Sequence, residues 1–285
     1  MPTETLEPHQ AETVRAGTIR SAGLATEHPT GNAVGEIRVL GPLELLGKYG
    51  PYSLRAHRER VVLAMLALNA GRVVASSVLA DAIWGENPPR TSRTQVQICV
   101  GAVRRMMREN ETPARIVTRH PGYVLETPRC ELDYLRFESL MALARERELA
   151  GDNEGALRAA ASANSLRRGP VLADVHSDVV QRESVILEER GVEAQIRQVR
   201  LRLVMGRGAE VIPDLRRLIA DHPLREELYA SLMLALYRNG RQAEALDAYH
   251  QARRTLGEVV GVEPGADLQR LHVAILNQAD VLVGT

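Results

Sequence analysis

Glutamine and arginine side chains have the donor pattern that pairs bidentately with adenine and guanine edges, and this chain places both at helical spacing. Arg93 or Thr94, then Gln97, Gly101, Arg104 and Arg108 follow at three- and four-residue steps, which puts them on one side of a 3.6-period helix. Val96, Cys99, Val100, Val103, Met106 and Met107 occupy the other side, where they suit a core. The chemistry open to the polar stripe is hydrogen bonding to base edges, because an α-helix fits the major groove of B-DNA. Shortly afterwards Ile116-Val117-Thr118 and Tyr123-Val124-Leu125 flank Arg119-His120-Pro121-Gly122. Two β-rich runs around Pro and Gly predict a hairpin that presents Arg119 and His120 at its tip. His120 reads equally well as a phosphate contact or as a turn residue.

These side chains need elements to hold them. Pro88-Pro89 blocks helix upstream, and Thr91 or Ser92 can accept a bond from an orphan backbone N–H, so the arginine-rich helix begins near residue 92. Ahead of it, Ile37-Arg38-Val39-Leu40-Gly41-Pro42-Leu43-Glu44-Leu45 alternates around a Gly-Pro break, predicting short antiparallel strands, with a third including Tyr52-Ser53-Leu54. Val61, Val62, Met65, Leu66 and Leu68 predict a helix that ends at Ala70-Gly71. Ser76 or Ser77 caps another, which carries Val78, Leu79, Ala82, Ile83 and Trp84 before Gly85. Trp84 reads as a core residue by its size. Strands, three helices and a hairpin together describe a winged helix-turn-helix with a small antiparallel sheet.

Charge supports the same region. The chain of 285 residues has no net charge, but residues 35–128 carry 13 basic and 8 acidic side chains, and residues 129–285 carry 21 and 24. Seven arginines against Glu109 and Glu111 lie between Arg90 and Arg119, so the whole excess sits on the predicted helix and hairpin. A local basic patch is the footprint of a phosphate-contacting surface.

Residues 1–34 show no sustained period and read as a disordered tail. Residues 35–128 form the first domain, and residues 129–285 are almost wholly helical in pattern. Gly206-Arg207-Gly208-Ala209-Glu210 recurs after 34 residues as Gly240-Arg241-Gln242-Ala243-Glu244. That period belongs to tetratricopeptide hairpins. Ala245, Tyr249 and Ala252 fall where paired helices touch, Pro223 stands at a closing position, and Gly151 to Ala156 with Ala160 and Ala163 suggest a diverged further unit. The fold class expected is therefore mainly α, a winged helix followed by an all-α tetratricopeptide-like domain.

An enzyme needs a constellation that is missing here. The eight histidines are scattered, no cysteine pair or His-Glu-x-x-His exists for a metal, and the one lysine, Lys48, lies in Gly47-Lys48-Tyr49 rather than in a phosphate loop. Glu188-Glu189 and Glu226-Glu227 read as solvated helix faces. No catalytic residue, metal or cofactor is expected. Cys99 and Cys130 read as structural thiols in a reducing compartment. No apolar run is long enough for a membrane span and no secretory signal is visible, so a cytoplasmic, nucleoid-associated location is expected without membrane contact. Some 34 residues before the first strand leave no room for a phosphoacceptor receiver.

The chain resembles regulators of the Streptomyces antibiotic regulatory protein family. The resemblance is carried by Val39-Leu40-Gly41-Pro42-Leu43-Glu44, Ala82-Ile83-Trp84-Gly85-Glu86-Asn87-Pro88-Pro89, Val103-Arg104-Arg105 and Gly122-Tyr123-Val124-Leu125. It continues through Arg168-Gly169-Pro170-Val171-Leu172-Ala173-Asp174, His222-Pro223-Leu224-Arg225-Glu226, Leu236 to Leu246 and Gly261-Val262-Glu263-Pro264-Gly265. It implies an OmpR-type winged helix followed by a bacterial transcriptional activation domain. The function implied is an activator that binds direct repeats in promoters of secondary-metabolite genes and recruits RNA polymerase holoenzyme, including its sigma factor. The chain departs from the family pattern at Gly101-Ala102, where serine and arginine are common, and at Arg167, where tryptophan is usual.

On this reading Gln97 and Arg104, with Thr94 and Gly101 shaping close approach, read bases, while Arg93, Arg105, Arg108 and Arg119 hold phosphates or the neighbouring minor groove. Two subunits would sit head to tail on the repeat. The loop Trp84, Gly85, Glu86, Asn87 to Arg90 is the candidate polymerase contact, by analogy with other winged-helix activators. Repression through the same DNA contacts, or a tetratricopeptide adaptor that binds only protein, are the alternatives.

Overall fold

The computed structural model describes residues 35–279; the expected tail lies outside these, as do the last six residues. Six short strands and ten helices follow in the described chain. Strands β1 (Ile37–Arg38), β2 (Glu44–Gly47) and β3 (Gly50–Tyr52) form one antiparallel sheet in that order. The expected third strand thus stops before Ser53-Leu54, and Leu54 is instead buried in the core.

Helix α1 (His57–Leu68) buries every residue from Val61 to Ala67. A helix that is apolar all round must be covered all round. Around it lie α2 (Ser76–Trp84), α3 (Ser92–Glu109), β6 (Gly122–Glu126) and α6 (Asp178–Val204). Gly71, just beyond α1, takes φ +78°, the left-handed stop predicted for it.

A second sheet has the order β4-β6-β5, with β4 (Val74–Ala75) and β5 (Arg115–Arg119) on either side of β6. The hairpin pairs Arg119 with Gly122 and Arg115 with Glu126, as the two β-rich runs required. Strand β4 was not anticipated, because two residues carry no period. It also reassigns Gly122, whose backbone faces β4 so closely that a Cβ would lie 1.8 Å from the Val74 carbonyl oxygen. Gly122 is there for strand approach as well as for the turn.

After a 3₁₀ turn at Arg129–Glu131 every further element of the described chain is an α-helix, with residues 166–177 forming a long non-helical connection between the second and third of them. Helices α4 (Asp133–Leu149) and α5 (Asn153–Ser165), then α6 and α7 (Gly208–Asp221), then α8 (Glu226–Arg238) and α9 (Gln242–Val260) make three hairpins, closed by α10 (Ala266–Leu276). Each hairpin turns on a left-handed glycine, Gly151, Gly206 or Gly240, with φ between +72° and +78°. Helices α7 and α9 begin 34 residues apart, which is the repeat read from the sequence. Ala160, Ala163, Ala245 and Ala252 are fully buried where helices meet, and Tyr229 donates its hydroxyl to the Pro223 carbonyl at 3.1 Å.

The core does not end where the wing does. One apolar cluster joins Ile37, Val61, Leu66, Val100 and Leu125 to Leu132, Phe137, Leu172, Val180 and Leu187. The β1–β2 turn is the polar counterpart of this seam. Asp133, 1% exposed at the start of α4, accepts from the Val39 and Leu40 amides at 2.9 Å each. The Arg168 amide donates to the Leu40 carbonyl at 2.7 Å, and the Leu172 amide to those of Val39 and Gly41. Leu43 donates to Asp174 at 2.8 Å, and Asp174 pairs with Arg60 of α1. The Arg168 guanidinium reaches the Pro42 carbonyl at 3.1 Å and Glu44 at 2.8 Å. Two motifs quoted separately from the sequence, residues 39–44 and 168–174, are therefore the two sides of one joint. Arg167 lies against Gly191 of α6 and pairs with Glu188 at 3.3 Å.

Burial pushes the Asp133 carboxyl up to about 6, although the Val39 and Leu40 amides pull the other way. The unfolded carboxyl ionises from about 4, so the folded state holds the proton longer and this group's contribution to stability falls as pH rises from about 4 to about 6. Denaturant unfolding should find Asp133→Asn less stable than wild type by about 1–3 kcal/mol at neutral pH, since one amide loses its acceptor. The gap should be wider at pH 4 and narrow by up to about 3 kcal/mol on the way to pH 6; a constant gap would show that the carboxyl titrates normally.

Candidate nucleic-acid interface

Helix α3 starts at Ser92, as Pro88-Pro89 require, but not by the expected cap. Thr91 is the N-cap residue and makes no side-chain bond to the helix backbone; its hydroxyl accepts from Gln95 Nε2 at 2.9 Å. Gln95 in turn accepts from Arg58 at 2.6 Å, and the Arg58 guanidinium lies 5.1 Å from the centre of the Trp84 ring. Arg58 thus ties the starts of α1 and α3 to the end of α2, a role that nothing in its sequence context signalled.

Val96, Cys99, Val100, Val103 and Met107 are buried and Met106 is half-buried, so the apolar side is as read. Burial pushes the Cys99 thiol up, which suits an inert packing residue. Arg93, Thr94, Gln97, Gly101, Arg105 and Arg108 are exposed. Among the described residues no carboxylate pairs with Arg93, Arg105 or Arg108, so their charge faces solvent.

Arg104 stands apart from this set. It is half-buried and donates from Nε to the Ile116 carbonyl at 2.8 Å and from Nη2 to Thr118 Oγ1 at 2.9 Å, with its guanidinium 5.7 Å from the Tyr123 ring centre. Strand β5 is a sheet edge, and an edge leaves carbonyls in need of donors. Arg104 supplies one and fastens the wing to α3. Its geometry is that of a positioning residue rather than of a free base reader.

At the wing tip His120 is exposed and Arg119 is 62% exposed, the latter 3.4 Å from Glu126. Both the amide and the hydroxyl of Ser76 donate to the Pro121 carbonyl at 3.2 Å. Ser76 is therefore the first residue of α2 holding the wing, not the cap predicted for it; the N-cap position is Ala75. The tip is anchored by Ser76 together with the β4–β6 pairing that leads into it.

The loop after α2 begins at Gly85, with φ +66° and its amide bonded to the Asp81 carbonyl at 2.8 Å. Glu86, Asn87 and Arg90 are exposed, and Trp84 is half-buried against the core. The loop borders an open cleft of about 1110 Å³ shared with Val175, His176 and the first turn of α6. Ser177, which caps α6, also donates its hydroxyl to the Ala82 carbonyl at 2.6 Å, so the helical half holds the end of α2 directly.

No helix among the described residues is long and apolar enough to cross a membrane, and no group of three or more His, Cys, Asp or Glu there could hold a metal ion. The arrangement instead offers an outward helix, a wing and unpaired guanidinium groups.

Comparison with known proteins agrees with this geometry. Residues 54–125 match the family described as transcriptional regulatory protein, C terminal, and residues 132–276 match the bacterial transcriptional activator domain. The chain is 38% identical to the transcriptional regulatory protein MoaR1 of Mycobacterium tuberculosis, over 87% of this chain and 82% of that one. It is 35% identical to the regulatory protein DnrI of Streptomyces peucetius, over 85% and 92% respectively. Its fold superposes with a TM-score of 0.81 and 32% identity on Mycobacterium tuberculosis EmbR, solved in complex with a low-affinity phosphopeptide, covering 85% of this chain and 65% of EmbR. An OmpR-type winged helix joined to a bacterial transcriptional activation domain, matched along most of its length by regulators, places the chain in the Streptomyces antibiotic regulatory protein family as a DNA-binding transcriptional regulator.

Proposed function

We propose that this regulator is an activator that binds direct repeats at promoters of a secondary-metabolite gene cluster and recruits RNA polymerase holoenzyme, acting in the cytoplasm on the nucleoid. The observation that carries the reading is the exposed face of α3, where Arg93, Arg105 and Arg108 have no internal carboxylate partner, beside a wing that projects Arg119 and His120. Unpaired guanidinium groups at this density are favourable next to phosphates, because each neutralised phosphate releases counterions. Gln97 and Thr94 stand on the same face with hydrogen-bonding groups for base edges, and Gly101 keeps the surface low one turn further along. Residues 35–128 are the DNA-binding unit and residues 129–285 the unit that meets partners.

Two copies on a direct repeat have the same orientation, so they meet head to tail, and half-sites about 10–11 base pairs apart put both on one side of the duplex. The exposed Glu86, Asn87 and Arg90 with Trp84 and Gly85 form the surface offered to polymerase and its sigma factor. Their position at the turn into α3 keeps them beside the DNA-reading helix without belonging to its outward face.

Three measurements test the parts separately. Affinity for a selected duplex should fall steeply with salt, and Arg105→Ala or Arg108→Ala should weaken all sequences alike while reducing the log–log salt slope by about one; an unchanged slope would remove these residues from the phosphate set. Gln97→Ala should relax preference at one base position, with loss of about 1–3 kcal/mol of discrimination there. In transcription with purified holoenzyme, bound protein should raise transcript yield, and the double variant Glu86→Ala, Asn87→Ala should keep DNA affinity but lose the stimulation. Reduced transcript on the same promoter would replace activation by repression.

A further inference from the structure

The face that α3 turns outward is not centred where its sequence suggested. Arg104 is drawn to the wing by Ile116 and Thr118 on one flank, and Gln95 is drawn to Arg58 on the other. What remains opposite the buried line runs through Thr94, Ile98, Gly101 and Arg105, at steps of four, three and four residues, with Gln97 and Arg108 beside it. Ile98 lies in the middle of this line, 65% exposed. It belongs to no apolar cluster, and its neighbours on the line are polar or lack a side chain. A Cβ placed on Gly101 would meet nothing within 4 Å, so the surface next to Ile98 is low and open.

A lone exposed aliphatic residue is ordinary on a protein surface. At the centre of a helix face surrounded by guanidinium groups it has a specific chemical match. Thymine is the only base that shows a methyl group in the major groove, and it is read by apolar contact rather than by a hydrogen bond. We infer that Ile98 is a specificity-determining residue that packs on the C5-methyl of a thymine in the half-site. Gln97 distinguishes bases by donors and acceptors and gains nothing from that methyl, and Arg105 meets phosphates; Ile98 supplies the missing discrimination, and the bare surface at Gly101 lets it reach the base. The inference rests on the proposal that α3 enters the major groove, and the test below tells failure of the one from failure of the other.

The test uses the full chain and a duplex that the wild-type protein selects from a random-sequence pool. Thymines in one half-site are replaced singly by deoxyuridine, which removes only the methyl, and binding is followed by fluorescence anisotropy. At one position wild type should lose about fourfold in affinity, the worth of one buried methyl. Ile98→Ala should lose a similar factor on the unmodified duplex, keep the wild-type salt slope, and bind the thymine and uracil duplexes equally at that position. Sequence-selective binding with no uracil effect anywhere, or an effect that persists in Ile98→Ala, overturns the role of Ile98 alone. Failure to select any duplex overturns the groove assignment of α3 and this inference with it.

Discussion

The structure hangs on a turn that cannot satisfy itself. Between β1 and β2 the chain exposes the amides of Val39, Leu40 and Leu43 and the carbonyls of Val39, Leu40, Gly41 and Pro42, and nearly all of their partners come from residues 133 and 168–174. Two-stranded turns usually give such groups to water. Here Val39, Leu40, Gly41 and Leu43 are buried, and a buried amide or carbonyl without a partner is costly. Asp133, Arg168 and Asp174 are thus needed as a set, and Gly41 at φ +152° is the residue that lets the backbone pass Arg168.

That joint fixes α1, and α1 fixes the reading head. With Val61 to Ala67 buried on every side, α1 is the common wall of α2, α3, the wing strand β6 and α6. The exposed line of α3 is outward because the opposite line is held against α1, and the wing keeps its angle because Arg104 and Ser76 hold it at both ends. Function at the surface is in this sense a by-product of what is satisfied underneath.

Periodic features were legible in the sequence, and contacts across long separations were not. The start of α3 followed from Pro88-Pro89, the hairpin from its two β-rich runs, and the helical hairpins from the 34-residue recurrence, each a signal contained in a short window. Strand β4 is too short to carry a period, and Arg104 looked like its neighbours on the helix because a three- or four-residue step cannot say which flank meets the wing. Ile98 gives no outward signal in the sequence, because apolar residues are expected inside. The pairing of residues 39–44 with 168–174 spans more than a hundred residues, so no local pattern could announce it, although both segments stood out individually. The left-handed glycines at 151, 206 and 240 lie between these extremes: each is readable as a stop, and only together do they mark the hairpins.

The shared joint also bears on how such a regulator could be recombined. A chain cut after residue 128 would separate the β1–β2 turn from nearly all the side chains and amides that complete it, and would bare the flank of α1 that faces α6. The natural seam for exchanging a DNA-reading head between relatives therefore does not follow the backbone. It passes around Asp133 and the 168–174 segment, so a functional chimera has to carry pieces of the activation domain along with the head.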